Sequence, residues 1–406
     1  MRAGWKTKQL GDVCDVVNGG TPKTGVIEYW DGPHQWITPA EMGKRATPYI
    51  DQTERTITNA GMQNSSARLL PEQSVILSSR APIGHLVINT APMATNQGCK
   101  GLVPRNGLDS KYLYYYLVSI VPLLNDLGTG ATFKELSGGK LKEVPVPVAP
   151  PPEQHRIVAI LDEAFDGIAT AKANAEKNLQ NARDLIGTGY QAITASLDRS
   201  RWATAPVTAL AAVPKGSMRT GPFGSQLLHS EFVDDGIAVL GIDNAVANEF
   251  RWDKRRYITA EKYRDLARYR VFPGDVLITI MGTCGRCAVV PDDIPLAINT
   301  KHLCCITLDR VKCLPEYLHA YFLYDPTARE YLTAQAKGSI MAGLNMGIIS
   351  ELPVRLPALE QQKIIVARFN SLRAECDQLF ELQTQKLAAL DALKKSLLHQ
   401  AFSGQL

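Results

Sequence analysis

EVPVPVAPPPEQHRIV, residues 143–158, returns as ELPVRLPALEQQKIIV at residues 351–366. The openings Glu143, Val144, Pro145, Val146 and Glu351, Leu352, Pro353, Val354 stand 208 residues apart (351 − 143), and pairing Glu153-Gln154 with Glu360-Gln361 gives 207 (360 − 153). Each copy leads from a proline-rich hinge into a long run that mixes polar and apolar residues. Solenoid repeats run to about 20–50 residues, so this period marks two copies of a whole domain with its helix. Two such copies imply approximate internal two-fold symmetry.

The repeat extends backwards from the hinge. Pro71 with Val75, Ile76 and Leu77 matches Pro273 with Val276, Leu277 and Ile278, each reading as a strand after a turn. A glycine follows in each copy, Gly84 and Gly285, and then a second strand, Leu86 to Ile88 and Ala288 to Val290. Asn96 answers Asn299, and the helix-spaced Tyr112, Leu113 and Tyr116 answer Tyr317, Leu318 and Tyr321 as core residues. A glycine-punctuated loop closes each copy: Gly130, Phe133, Leu136, Gly139 beside Gly338, Met341, Leu344, Gly347. The chain therefore divides into globular segments 1–150 and 199–357 and helical segments 151–198 and 358–406. The globular segments share their apolar pattern while their polar residues differ, as when one scaffold carries two binding surfaces. Short strands, many turns and few helices predict an α+β fold dominated by sheet.

In the first helical segment Leu161, Ala164, Ile168, Ala171, Ala175, Asn178, Ala182 and Leu185 alternate steps of three and four. Phe369, Leu372, Cys376, Leu379, Gln383, Lys386, Leu390, Leu393 and Leu397 do so in the second. Both read as coiled-coil seams, the small residues of one facing the larger residues of the other. Two-fold symmetry makes the pair antiparallel. Some 40 residues at about 1.5 Å each make a rod of roughly 60 Å, long enough to space two heads by one to two turns of B-DNA, about 34 Å each.

With 44 Lys and Arg against 40 Asp and Glu, the net charge of +4 is only weakly basic. Charge is concentrated instead in residues 253–270, where Lys254, Arg255, Arg256, Lys262, Arg264, Arg268 and Arg270 interleave with Tyr257, Tyr263 and Tyr269, a composition suited to nucleic acid. Residues 1–20 have no apolar core, and Tyr112 to Leu124 is too short to span a bilayer, so a membrane partner is not expected. Eight cysteines without a secretory leader fit a reducing cytoplasm. Cys284 and Cys287 with Cys304 and Cys305 depart from paired zinc spacing, and Ile83 and Leu86 replace the first two in the other copy, so no metal is expected. The chain lacks a phosphate-binding G-x-x-x-x-G-K, an H-E-x-x-H, and an (Asn/Asp)-Pro-Pro-aromatic tetrapeptide, and no catalytic residue is assigned. Glu72, Asp109 and Lys111 are the nearest approach to a nuclease set, and they are loosely spaced.

The chain resembles the specificity subunit of type I restriction-modification systems over essentially its full length. The resemblance rests on Gly19, Gly20, Thr21, Pro22 with Tyr29, Trp30, Asp31, Gly32 and Trp36, Ile37, Thr38; on Thr220, Gly221, Pro222, Phe223, Gly224, Ser225; and on the two hinges. It implies that each globular segment is a target recognition domain reading one half of a split, asymmetric sequence in double-stranded DNA. It also implies that the helices set the unread gap and dock two methyltransferase subunits, and that restriction and motor subunits join them. S-adenosylmethionine, ATP and Mg would then belong to those partners, and this chain would carry no cofactor and no catalytic site.

Base and phosphate contacts call for Arg, Lys, Asn, Gln and polar loop residues. In the first domain the DNA-binding candidates are Thr21, Lys23, Arg80, His85, Asn96, Gln97, Lys100 and Lys134. In the second they are Arg219, Ser225, Gln226, Arg255, Arg256, Arg286, Lys301, His302, Lys337 and Asn345. Arg80 faces Met281 across the repeat, as a specificity residue should, whereas the retained Asn96 and Asn299 read as scaffold. An adaptor whose two heads bind protein, or a stand-alone nuclease, are the competing classes.

Overall fold

The computed structural model describes residues 4–45, 47–130, 134–213, 215–252, 254–336 and 344–406; Phe133, Lys337, Gly338 and Met341 lie outside the described residues. Two compact units result, Met1–Ala175 with Thr384–Leu406 and Glu176–Gln383. The fold is α+β: two globular sheet domains in tandem, with two helices of 45 residues, Pro151–Ala195 and Leu359–Ser403.

The two units repeat the same plan. In the first, strands Cys14–Asn18, Cys99–Pro104, Val75–Ser79, Ile83–Asn89 and Tyr49–Ile50 lie side by side in that order, and Thr56–Ile57, Trp30–Ile37 and Met93–Thr95 form a second sheet. In the other, Met218–Thr220, Leu303–Ile306, Val276–Thr279 and Cys287–Val289 match the first four, and Tyr257–Ile258, Ile237–Leu240 and Ala297–Asn299 match the second sheet with Arg270–Val271 added. Both second sheets contain a parallel pair, Trp30–Ile37 with Met93–Thr95 and Ile237–Leu240 with Ala297–Asn299.

The hinge prolines form edge strands, where a missing N–H is tolerated. Pro145–Val148 pairs antiparallel with Lys6–Gln9, and Pro353–Leu356 with Ala203–Pro206. Carbonyls of the hinge strands accept from buried tyrosines in matching order: Pro147 from Tyr112 and Pro145 from Tyr116, then Arg355 from Tyr317 and Pro353 from Tyr321. The tyrosines read as packing residues thus also fasten the hinge.

A glutamine fixes the turn from hinge to helix. Gln154, 1% exposed, accepts from the Asp109 N–H (2.8 Å) and donates to the carbonyls of Gly107 (3.2 Å) and Ala149 (2.8 Å). Gln362, wholly buried, accepts from Leu314 (2.9 Å) and donates to Lys312 and Pro357 (2.9 Å each). Gln154 therefore matches Gln362, not Gln361, and the offset stays at 208 (362 − 154) into the helix. Ile157 and Ile365 are buried accordingly, while Ile364 is exposed.

The helix faces also differ from the expected seams. Asn178, Leu185, Leu379, Lys386 and Leu393 point to solvent. Part of each seam is buried at seven-residue spacing as expected, Leu161, Ile168, Ala175 and Ala182 in one helix and Phe369, Cys376 and Gln383 in the other, and beyond it the covered face passes to Leu179 and Tyr190 in the first and to Leu387 and Leu398 in the second. An α-helix of 3.6 residues per turn drifts from a strict 3.5 repeat, so over a helix this long the buried face leaves the later heptad positions. Within the first unit the start of one long helix packs antiparallel to the end of the other: Leu398 and Ala401 join the core of Ile157 and Leu161, and Lys172 pairs with Asp391. Within the second, Tyr190 meets Phe369 edge to face at 5.5 Å, and Gly189 leaves room for Leu372.

Replacing Gln154 with Leu strands one amide and two carbonyls, and unsatisfied buried groups cost about 1–3 kcal/mol. The expected result is faster hydrogen exchange at the Asp109 amide and a stability loss of about that size in the first unit, with the Leu314 amide unchanged.

Candidate nucleic-acid interface

In both units two loops cross so closely that a side chain is excluded. A Cβ on Gly19 would lie 1.9 Å from the Asn96 carbonyl oxygen, and one on Gly221 would lie 2.2 Å from that of Asn299. In the first unit the indole of Trp36 donates to the Gly20 carbonyl (2.9 Å) and that of Trp30 to the Lys23 carbonyl (3.3 Å), so the segment Gly19 to Lys23 hangs from the second sheet. Arg55 stacks on Trp30, its guanidinium carbon 3.6 Å from the ring centroid.

The sheet register corrects the pairing of Asn96. Ile37 pairs with Thr95 and Leu240 with Asn299, and the next residues make the same bond: Asn96 N–H to Ile37 (2.8 Å), Thr300 N–H to Leu240 (3.0 Å). Asn96 thus corresponds to Thr300, and Asn299 to Thr95. The next positions place Gln97 with Lys301 and Gly98 with His302, since Ser79 bonds the Gly98 carbonyl as Ile280 bonds that of His302. By the same bonds Arg80 corresponds to Met281. Asn299, fully buried and donating to the Leu303 carbonyl, is scaffold. Asn96 is not retained between the units and belongs with the variable residues.

In the first unit the structure gathers most of the candidates. Thr21 bonds Gln97, Asn96 donates to Thr21 (3.0 Å), and the Asn96 side-chain oxygen accepts from Gly98 (2.7 Å). Arg80 lies beside Gly98 and approaches Glu135 at 3.9 Å, with exposed Lys134 adjacent. Lys23 is exposed next to Thr21 and Pro22. Lys100 is the second residue of the strand Cys99–Pro104, only 6% exposed; burial lowers its pKa while Glu135 opposes the shift. His85 stands apart, its ring against Gly43.

In the second unit Arg256, Lys301 and His302 line one cavity of about 360 Å³ with Pro222 and Gly224. Burial, then the charges of Lys301 and Arg256, push His302 down from its ordinary pKa, favouring the neutral ring. Ser225 is exposed in the adjoining turn, where the Gln226 side-chain carbonyl accepts from the Phe223 N–H (3.1 Å) and the Tyr269 hydroxyl (3.0 Å). Arg255 is exposed with its guanidinium 5.4 Å from the Trp252 ring centre.

Arg219, a DNA-binding candidate, is an interior residue instead. It is 8% exposed and bonds Asp275 at 2.6 Å, the Arg270 carbonyl and the Thr307 hydroxyl, so its donors serve the interior of the sheet. Asn345 is exposed, with its side-chain oxygen capping the helix Met346–Ser350 through the Ile348 N–H. Arg286 lines a different groove, with Arg183 and Arg329. Lys337 lies outside the described residues. Asp243 and Thr300, which line the cavity, were missed: a one-residue slip at Asn299 hid Thr300, and nothing local marks Asp243.

The weak nuclease set has structural duties. Asp109 caps the helix Ser110–Ser119, and Lys111 pairs with Asp162 at 2.7 Å. Cys287, Cys304 and Cys305 are enclosed in the second unit, and burial pushes the Cys304 thiol up to about 12. Among the described residues no three His, Cys, Asp or Glu side chains form a metal-binding group, and no helix is long and apolar enough to cross a membrane.

Comparison with known proteins gives these loops a context. The chain is 38% identical over 174 residues to the type I restriction enzyme MjaIX specificity subunit of Methanocaldococcus jannaschii, a match covering 42% of this chain and about two fifths (40%) of that relative. It is 23% identical over 438 residues to the EcoKI specificity subunit of Escherichia coli K12, covering 99% of this chain and 89% of the relative. A solved structure, described as the structural basis underlying complex assembly and conformational transition of the type I R-M system, has the same fold, with a TM-score of 0.77, 16% identity, and coverage of 100% of this chain and 99% of that one. The family model for the type I restriction modification DNA specificity domain matches residues 2–180 and 246–390, and the chain belongs to that family.

Proposed function

We propose that this chain is the DNA-reading, non-catalytic subunit of a type I restriction-modification complex. Each unit reads one half of a split, asymmetric target in double-stranded DNA. The chain docks two methyltransferase subunits, which bring S-adenosylmethionine, and restriction and motor subunits, which use ATP and Mg; the complex works in the cytoplasm. One observation carries the reading: Asn96, Gln97 and Gly98 occupy the backbone positions of Thr300, Lys301 and His302, held by the same main-chain bonds yet presenting different side chains. A common frame with different tips reads two different sequences, and two different half-sites make an asymmetric target. A two-headed protein adaptor lacks any comparable reason for basic and amide side chains at those positions.

Expression with the neighbouring methyltransferase in a host without adenine methylation, followed by genome-wide mapping, is expected to give one two-part motif with a fixed gap. A stable complex that leaves adenines unmodified would favour the adaptor. Gln97→Ala or Arg80→Ala should relax one half of the motif and Lys301→Ala the other, each costing about 1–3 kcal/mol of discrimination. Equal loss at both halves would refute those assignments. Arg219→Ala leaves Asp275 charged and buried without its partner, so denaturation should show about 3–5 kcal/mol of destabilisation, without a change confined to one half of the motif.

A further inference from the structure

Among the described residues, six buried side-chain nitrogen or oxygen atoms have no hydrogen-bond partner, and three of them belong to residues lining the cavity of the second unit: Asp243 Oδ2, Arg256 Nε and Thr300 Oγ1. Asp243 and Arg256 are paired through Oδ1 and Nη2, and Gly241 lets them lie against the backbone, since a Cβ there would sit 2.4 Å from Nη2. The pair leaves one acceptor and one donor unused. Apolar walls come from Pro222, Leu227, Phe232 and Ile242, and Lys301 and His302 complete the lining. Buried polar groups are nearly always paired, so three unpaired ones beside one cavity call for partners that the rest of the chain does not supply.

The chemistry narrows that occupant. A phosphate suits Lys301 and Arg256 but is repelled by the unpaired Asp243 oxygen, which needs a donor. A flat ring between apolar walls, with a donor and an acceptor side by side on its edge, meets both requirements, and the volume of about 360 Å³ is at the small end of ligand pockets, roughly 300–1,000 Å³. A concave site with recessed atoms does not reach base edges that remain stacked in a duplex. Phe223, flanked by two lining residues and 48% exposed, is an apolar side chain of the kind that fills the gap left by an unstacked base.

Resting on the DNA-reading function above, we propose that this cavity holds one nucleobase of the second half-site, displaced from the duplex and bonded to Asp243, Arg256 and Thr300. The same ring chemistry is offered by a free nucleoside, and the test separates the two sources. Once the target is mapped, 2-aminopurine is placed at each position of the second half-site other than the methylated adenine, and the duplexes are bound to the intact complex with its methyltransferase. One position is expected to brighten several-fold on binding. Asp243→Asn should abolish that rise and weaken binding about tenfold, and Thr300→Val should relax base preference at the same position. No rise at any position, or a rise unchanged in Asp243→Asn, overturns the proposal. Saturable binding of free nucleosides without a rise overturns it too and makes the cavity a small-molecule site. A wild-type complex that binds no duplex sinks the DNA-reading function and this inference with it, whereas normal duplex binding without brightening removes this inference alone.

Discussion

A buried glutamine side chain decides where each sheet domain stops and each long helix starts. Gln154 and Gln362 each accept one backbone N–H and donate to two carbonyls, tying the strand before the helix to the loop that opens a short tyrosine-bearing helix. Glutamine suits this position because one planar amide supplies both an acceptor and two donors. With that corner rigid, the hinge prolines lie along their partner strands and the tyrosines reach the hinge carbonyls. The loops that hold the DNA-binding candidates of the first unit start at the opposite ends of the strands, where Asn18 pairs with Lys100, in a sheet whose register is already determined.

That arrangement separates two kinds of constraint. Gly19 and Gly221 are required by close backbone approach, and the buried Asn299 side-chain nitrogen donates to the Leu303 carbonyl, so these residues are frame. At the tips the main-chain bonds are equally fixed while the side chains differ between the units, Asn96 bonding Thr21 and Gly98 in one where Thr300, Lys301 and His302 line a cavity in the other. A scaffold built this way carries different side chains at its tips on one fold.

The repeat was legible because hinges and strands carry strong local signals: prolines at fixed spacing, valine and isoleucine runs after turns, tyrosines at helical spacing. Finer register was not. Two glutamines in succession, Gln361 and Gln362, offered equal matches to Gln154, and only the enclosed amide distinguishes them. Asn96 resembled Asn299 by type while its backbone stands with Thr300. Alternating steps of three and four hold to the buried face from Leu161 to Ala182 and through Phe369, Cys376 and Gln383, while Leu185, Leu379 and Leu393 fall on a face that rotates away from them. Arg219 looked like any basic residue near a loop until its partner Asp275, 56 residues on, came beside it. Asp243 was invisible because the cavity that gives it meaning is assembled from four separated segments.

The two units differ in how they are threaded. The second is one continuous stretch, Glu176–Gln383, whereas the first is interrupted by it and includes Thr384–Leu406. Leu398 and Ala401 belong to the first unit's core, and Phe402 stacks edge to face on Tyr112 and Tyr116. During synthesis the ribosome completes every residue of the second unit before it reaches these closing residues. The domain encoded first is therefore the last to be sealed, and its unfinished apolar face must wait through some two hundred residues of elongation, on the order of 10–40 s at 5–20 residues per second.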